Sequence, residues 1–576
     1  NEVTPTMTPP AVVAASQSGI AEDRLSPIKE ILEAASTDRK PGTAGWADAD
    51  PAIDLNPEQA AVVAHPRLGG PLIVVAGPGT GKTRVLIERI VHLVNNKAVH
   101  ADGILAVTFT QKAAAEMQTR LGKRLADDSR QPVVATFHSL CLQLMRENDA
   151  DGDGAEVRQP SINAGGIVSG ARQRALLADA LDIVKRTATE QTPVNLTVKA
   201  ALAGISAAKQ RVLPPEAPEA DLIAAAGGLD ITAVYPVYQR LLQHQAAWDF
   251  DDLIFNIVTR LETDDAYCQT CRQRFSHIFV DEYQDLNAGQ YRIVKALCPP
   301  ESQLCVIGDP DQAIYGFRGA KVSYFNDFLE DYPGARVVHL RRNYRSVQTV
   351  LTAAFGIVRD QHVSLTGDSD DQPMAQVPGC PLICELTAAT ERSEAVAIGK
   401  TIAQMIGGTG FHHLDFGAVK DTATARQRSF GDFAVLYRTH GQGELLAHQL
   451  GKGGIPCQVA SRRHLLDNPA VSALIATVQV VNNTAAFSDF ETMAAVFKAG
   501  IGPRTFAQIK NWAYRNGLGL RAALSAARRV PLPGITMARQ QNLYDFILRI
   551  DLLRGQTESL SVADQIRHLL EHTPIG

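Results

Sequence analysis

Residues 72–87 read LIVVAGPGTGKTRVLI, and the fold turns on how this stretch is taken. Leu72 to Ala76 is a short apolar run of the kind that forms a buried parallel strand, and it feeds a glycine-rich turn opening into an amphipathic helix after Lys82. Gly77, Gly79 and Gly81, with Pro78 and Thr80 between them, leave out the side chains that would stop a backbone loop from curling around a phosphate. The loop N–H groups and the helix N-terminus supply a positive field. Lys82 is placed as a point charge for β- and γ-phosphates, and the Thr83 hydroxyl as a ligand for Mg2+. A glycine turn that merely precedes a helix is the alternative, but strand, loop and helix in this order favour nucleotide binding.

On the amino-terminal side, NPEQAAVVA at 56–64 has an N-cap in Asn56, proline at the first helical position in Pro57, and an amide at Gln59 that could recognise an adenine edge. Residues 1–50, rich in Ala, Pro, Thr, Ser and Asp, read as a flexible leader with one helix expected from Pro27 to Ala35. On the carboxyl side, Ile104 to Phe109 reads as a strand, followed by a helix from Thr110 through Leu121. A further strand ends in VVATFHSLC at 133–141, placing Thr136, Phe137, His138 and Ser139 at its carboxyl end, the ligand edge of an open α/β sheet. Exposed rings there could stack on bases, or Phe109 and Phe137 could fill the core.

Residues 150–240 change to alanine-rich helical periodicity with a Pro-rich break at 214–218, which suggests a helical domain inserted into the sheet domain. The chain returns through WDFDDLIFNIVTRL at 248–261 to HIFVDEYQDLNAGQ at 277–290. There an apolar strand ends at Asp281, suited to the Mg2+ shell, and Glu282, suited to orienting and deprotonating a water. The next strand begins QLCVIGDPDQAIYGFRGA at 303–320, where Gln312 could sense a γ-phosphate and Tyr315, Phe317 and Arg318 follow directly. A further strand in ARVVHLRRNYRS at 335–346 is expected to begin another domain. Tyr344 offers a flat adenine partner and Arg345 a charge for the γ-phosphate.

At 576 residues the chain is too long for one core, and three to five domains are expected. Its 45% hydrophobic and 20% charged content is ordinary for a globular protein, and its net charge of -5 argues against a uniformly basic binder while leaving room for a local basic groove. No apolar run approaches membrane-spanning length, and the start NEVTPTMTPP lacks the order of a secretory signal. The eight scattered cysteines fit free thiols in a reducing cytoplasm; CQTC at 268–271 and CPLIC at 380–384 leave zinc as the alternative.

The ordered set NPEQ at 56–59, GPGTGKT at 77–83, AVTFTQKAAAEM at 106–117, ATFHSLC at 135–141, DFDDL at 249–253, FVDEYQD at 279–285, GDPDQAIYGFRGA at 308–320, NYRS at 343–346 and DFAVLYRTH at 432–440 resembles the superfamily 1 DNA helicases of the UvrD/Rep/PcrA type across roughly residues 53–576. The resemblance implies an α/β fold. A RecA-like P-loop motor domain (53–149 and 246–334) would carry a helical accessory insertion (150–245), preceded by a flexible extension (1–52). A partial second RecA-like domain (335–460) and a partial helical accessory domain (461–576) would follow. It implies ATP and Mg2+ as cofactors and movement 3′ to 5′ along single-stranded DNA, with the accessory domains at a single-strand/duplex junction.

By the same resemblance Gln59 reads adenine, Arg84 and Tyr344 bracket it, Gln312 and Arg345 report the γ-phosphate, and Phe109, His138, Tyr315 and Phe317 touch DNA. GIGPRT at 500–505 resembles a glycine turn that meets a duplex phosphate. Phe317 stands where the family usually has tryptophan, and Pro310 where an acid is usual. A later Lys-Gly-Leu-Glu segment and a second phosphate-contacting arginine do not occur, so the expectation is a truncated or split form that binds nucleotide and hydrolyses it poorly. The motor portion of a helicase–nuclease and a nonmotor DNA-binding or assembly module are the alternatives, and the leader could recruit a protein partner.

Overall fold

A computed structural model describes residues 55–575 apart from 97–98, 126–129, 151–165, 188–195, 246, 359–371, 380–382, 407–427, 461–467, 486 and 517. The helix expected at 27–35 and the leader around it lie outside the described residues. Six parallel strands form the central sheet: β1 (Leu72–Ala76), β2 (Ile104–Thr108), β3 (Val133–Thr136), β4 (His277–Val280), β5 (Gln303–Gly308) and β6 (Arg336–Leu340). Their spatial order is β3-β2-β4-β5-β1-β6, and Val74 of β1 lies opposite both Ile307 of β5 and Val338 of β6.

The central strands read as continuous apolar runs because helices cover both faces of the sheet. Alternation along the strands divides their side chains between two cores. Ile73, Leu105, Val107, Val280 and Val306 pack with Leu140, Ile254, Ile257 and Ile293 from the helices Phe137–Ala150, Phe250–Thr263 and Ala288–Leu297. Leu72, Val74, Ile104, Phe279 and Ile307 pack on the other side with Leu86, Ile90 and Met117 from Lys82–Asn95 and Gln111–Arg124.

Capping behaves as the side chains dictate. Asn56 and Gln59 form a reciprocal capping box at the start of Pro57–Val63, and Thr110 accepts from Ala113 N at 3.1 Å to cap Gln111–Arg124.

Between β3 and β4 the helices Gly170–Thr187, Val198–Gln210, Glu219–Ala225 and Val234–His244 enclose a core of their own around Leu177, Ile205, Tyr238 and Leu242. The insertion enters and leaves at one neck, where Val168 N donates to Trp248 O (2.7 Å) and Trp248 N to Gly166 O (3.2 Å). Its attachment is electrostatic as well. Lys209, 1% exposed, places Nζ 2.7 Å from Asp249 Oδ2 and 2.7 Å from Asp252 Oδ1 on the returning helix.

The strand expected to open another domain at 335 belongs instead to the first sheet: Arg336 to Leu340 pair with Leu72 to Ala76 along the whole of β1. The apolar side chains at Val338 and Leu340 decide this, since both are buried in the core beside β1. Beyond it, the described residues show one two-residue pairing, β7 (Arg342–Asn343) with β8 (Met374–Ala375), the helix Gln348–Val358, and the helices Glu391–Ile406 and His440–Lys452 packed on a small core of Ile402, Leu450 and Ile455. Residues 433–438 carry no described ladder, and Leu436 is 94% exposed.

Six helices from Pro469–Val481 to Val562–His572 pack around Phe490, Met493, Ile509 and Leu543. They meet the insertion where Asp179 accepts from Tyr514 Oη (3.1 Å) and pairs with Lys510. At the glycine turn of 500–505, Gly500 has φ +69 and Gly502 precedes the helix Pro503–Arg515 without a side-chain cap.

The seven described cysteines are free thiols, five of them buried; Cys380 lies outside the described residues. Among the described residues no cluster of three or more His, Cys, Asp or Glu side chains is arranged for a metal, and no helix is long and apolar enough to cross a membrane.

Candidate nucleotide and nucleic-acid site

The loop after β1 takes a shape that only glycine permits at two points. Gly79 (φ +78) and Gly81 (φ +94) are left-handed, and a Cβ at 79 would lie 2.5 Å from Arg345 Cβ. Thr80, fully buried, braces the loop through Oγ1 to Gly77 O (2.8 Å). Lys82 then starts the helix, and its Nζ donates to Glu282 Oε2 at 3.1 Å.

Glu282 follows β4 in a left-handed conformation (φ 53, ψ 50) that an L side chain rarely adopts, at a cost of about 1–3 kcal/mol. The turn brings its carboxylate to Lys82, where Gln284 Nε2 also donates to it (2.8 Å). Gln284 in turn accepts from Asp309 N (3.0 Å), which joins the β4 and β5 ends. Asp281 is held by its N–H to Val107 O (2.8 Å) and is 6% exposed. Burial, then the neighbouring Glu282, push its carboxyl up to about 6, while Lys82 pulls the other way.

Asp285 is likewise pushed up to about 6 by burial and Glu282, and burial raises Asp309. One lysine thus faces a group of acids, a charge balance that suits an added divalent cation. Thr83, at the start of the helix, and Asp281 would hold Mg2+; Lys82 and the loop N–H groups would hold the phosphates. The residues present fit a Mg2+–nucleotide.

Residues 341–345 are fastened from outside the sheet to the loop and to the helix Pro57–Val63. Arg341 N donates to Glu58 Oε2 (2.8 Å), Asn343 Nδ2 to Pro78 O, and Tyr344 N to Gly79 O (2.9 Å). The Asn343 side chain also accepts from Arg345 N at 2.9 Å. Tyr344 is therefore tied to the loop directly, and Arg345 through Asn343. Gln59 is 2% exposed, with Oε1 accepting from Asn56 N (3.2 Å) and Nε2 donating to Thr80 O (2.9 Å). Arg84 lies on the first turn after the loop, and Gln312 donates to Asp309 Oδ2.

Beyond Gln312 the chain leads into an aromatic row. Phe109 and Tyr315 have ring centroids 4.8 Å apart, Tyr315 and Phe317 5.9 Å, and Phe317 is 80% exposed. Arg318 lies over both Tyr315 (5.4 Å) and Phe317 (5.6 Å). His138 stands apart from this row, edge-on to Phe250 at 6.0 Å, and burial lowers its pKa and favours the neutral ring. Phe137 is core: it begins a helix and is 4% exposed among Leu105, Ile278 and their neighbours. Sequence reasoning passed over Phe250, Asn343 and Gln284. The DFDDL, NYRS and FVDEYQD segments contained all three, but only their exposure and partners show what they touch.

Residues 55–333 match the UvrD/REP helicase N-terminal domain, and residues 338–528 the UvrD-like helicase C-terminal domain. The chain is 31% identical over 553 residues to the ATP-dependent DNA helicase UvrD1 of Mycobacterium tuberculosis, covering 93% of this chain and 66% of that protein. It is 30% identical over 521 residues to the ATP-dependent DNA helicase PcrA of Staphylococcus epidermidis, covering 90% of this chain and 66% of that protein. PcrA of Staphylococcus aureus is similar to the same degree, with 65% of its length covered. The chain thus spans about two thirds of the length of these relatives. With this phosphate loop, these strand-end acids and both matched regions, the chain belongs to the superfamily 1 UvrD/Rep helicase family.

Proposed function

We propose that the protein is an ATP- and Mg2+-dependent DNA translocase or helicase acting 3′ to 5′ on single-stranded DNA in the cytoplasm, in DNA repair or replication. The observation that carries this reading is one loop with two neighbours. Gln312 donates to Asp309 in the group of acids around Lys82, and three residues later Tyr315 begins the row of rings. A change at the phosphate end of that loop moves the rings on which bases stack.

Bound Mg2+–ATP supplies the phosphoanhydride whose cleavage drives the cycle. Lys82 neutralises phosphate charge, Glu282 orients a water and takes its proton, and Gln312 and Arg345 report the terminal phosphate. Gln59, Arg84 and Tyr344 surround the adenine. Phe109, Tyr315 and Phe317 hold the strand and His138 touches it separately from that row, while the helical domains meet a single-strand/duplex junction and the leader engages a protein partner. These 576 residues by themselves hydrolyse ATP slowly in our reading, because among the described residues of 341–460 strand pairing is limited to Arg342–Asn343 with Met374–Ala375, too small a sheet to close over the phosphates. The same observation favours a second reading, a nonmotor DNA-binding module whose affinity for DNA ignores nucleotide.

The test is steady-state phosphate release with and without single-stranded DNA, comparing the chain with Glu282→Gln. DNA-stimulated turnover that falls by about 100-fold or more in the variant supports a motor. Low turnover with nucleotide-dependent DNA binding supports the slow form, and DNA binding that is blind to nucleotide supports the module.

A further inference from the structure

We propose that Asn56 is a positioning residue of the nucleotide pocket: its amide oxygen caps the helix Pro57–Val63 while its amide nitrogen holds the Tyr344 ring in place as a preformed wall for the base. This deepens, and rests on, the nucleotide-binding reading given above. Asn56 Oδ1 accepts from Gln59 N at 2.8 Å, and Asn56 Nδ2 donates to Tyr344 Oη at 2.9 Å. The orientation of the amide follows from the network, since its oxygen must face the Gln59 N–H and that turns the nitrogen toward the tyrosine. Asn56 is 8% exposed, so the donor offered to Tyr344 is itself fixed.

The two residues are 288 positions apart in sequence and come together only because β6 lies beside β1. Tyr344 arrives with its backbone already set, its N–H on Gly79 O (2.9 Å) and its predecessor Asn343 fully buried against Pro78. What the backbone leaves free is the swing of the ring. A hydrogen bond at the far end of the side chain removes that freedom before a ligand arrives, which lowers the ordering cost of binding. Gln59 contributes from the same helix, tying its amide to Thr80 O in the loop. One capped turn therefore sets both the phosphate loop and the base wall.

The roles of the two amide atoms can be separated. Asn56→Ser keeps a short oxygen able to cap Gln59 N but removes the reach to Tyr344. Tyr344→Phe keeps the ring and removes the hydroxyl. Using the full chain, the affinities of Mg2+–ATP and of inorganic triphosphate, which has no base, are measured by titration calorimetry. Each single variant is expected to weaken ATP by about fivefold, the scale of one net hydrogen bond, and the double variant by about the same factor, because both remove one interaction.

Triphosphate binding is expected to stay at the parent value in all three. Independent losses that multiply to about 25-fold in the double variant would overturn the proposal. So would an unchanged ATP affinity in either single variant, or an equal loss for triphosphate, which would mean that the loop itself had been disturbed. A parent chain that binds triphosphate and not ATP refutes the base wall alone. A parent chain that binds neither refutes the nucleotide-binding reading and this inference together.

Discussion

Replacing Lys209 with methionine tests the joint between the helical insertion and the sheet domain. The ammonium sits 2.7 Å from oxygens of both Asp249 and Asp252, and all three side chains are 2% exposed or less. Methionine nearly matches lysine in bulk, so the change removes charge with little loss of packing. The acids cannot turn away to water. Asp249 Oδ1 accepts from Asp252 N (2.9 Å) and Asp252 Oδ2 from Asp249 N (3.0 Å), the reciprocal cap of the helix Phe250–Thr263. Tyr238 and Gln239 still donate to them, at 3.0 and 3.1 Å, but neither supplies a positive charge.

Breaking a buried ion pair from one side costs about 3–5 kcal/mol, a large share of the stability of a typical domain. The cost should depend on pH. Burial already pushes Asp252 up to about 6 with Lys209 in place, so without the lysine protonation relieves the repulsion as pH falls. Lys209→Met should therefore show its full deficit at pH 8 and a smaller one at pH 5, read from urea midpoints followed by far-ultraviolet circular dichroism. Adding Asp252→Asn should recover part of the loss at pH 8. A single variant within about 1 kcal/mol of the parent at pH 8 would refute the claim that this charge is needed where it lies.

Gly79→Ala forces a Cβ into a left-handed position facing Arg345 and should abolish tight ATP binding while lowering stability by about 1–3 kcal/mol; calorimetric titration and thermal melting check both. Phe317→Ala should weaken binding of a labelled single-stranded oligonucleotide by about 1–3 kcal/mol with an unchanged melting temperature. Phe137→Ala should do the reverse, costing about 3–5 kcal/mol of stability through a core cavity. Burial pushes His277 down to about 4, so the folded state disfavours its protonation. Its contribution is fully present above about 6.5, the unfolded value, and is lost as pH falls toward 4. His277→Gln should flatten that part of the stability profile in urea melts.

The local parts of the site could be read from the chain because their physics is local. Glycine tolerance, an N-cap, an apolar strand and acids at its end each depend on neighbours a few residues away, and the loop at 77–83, the N-cap at Asn56 and the acids after β4 stand as their sequence suggests. The helical character of the stretch between β3 and β4 was legible in its change of periodicity. Two aromatic residues in similar settings were not: Phe109 pairs with Tyr315 while Phe137 is buried, and neither pattern nor composition separates them. The assignment of residues 335–340 missed for a related reason, since a strand's sequence states that it needs partners without naming them. Only the tertiary structure placed β6 beside β1, drew Tyr344 to Asn56, and set Lys209 between two acids on another helix. Those pairings span long separations, and their energies come from shared burial and hydrogen bonding that exist only after the chain has folded.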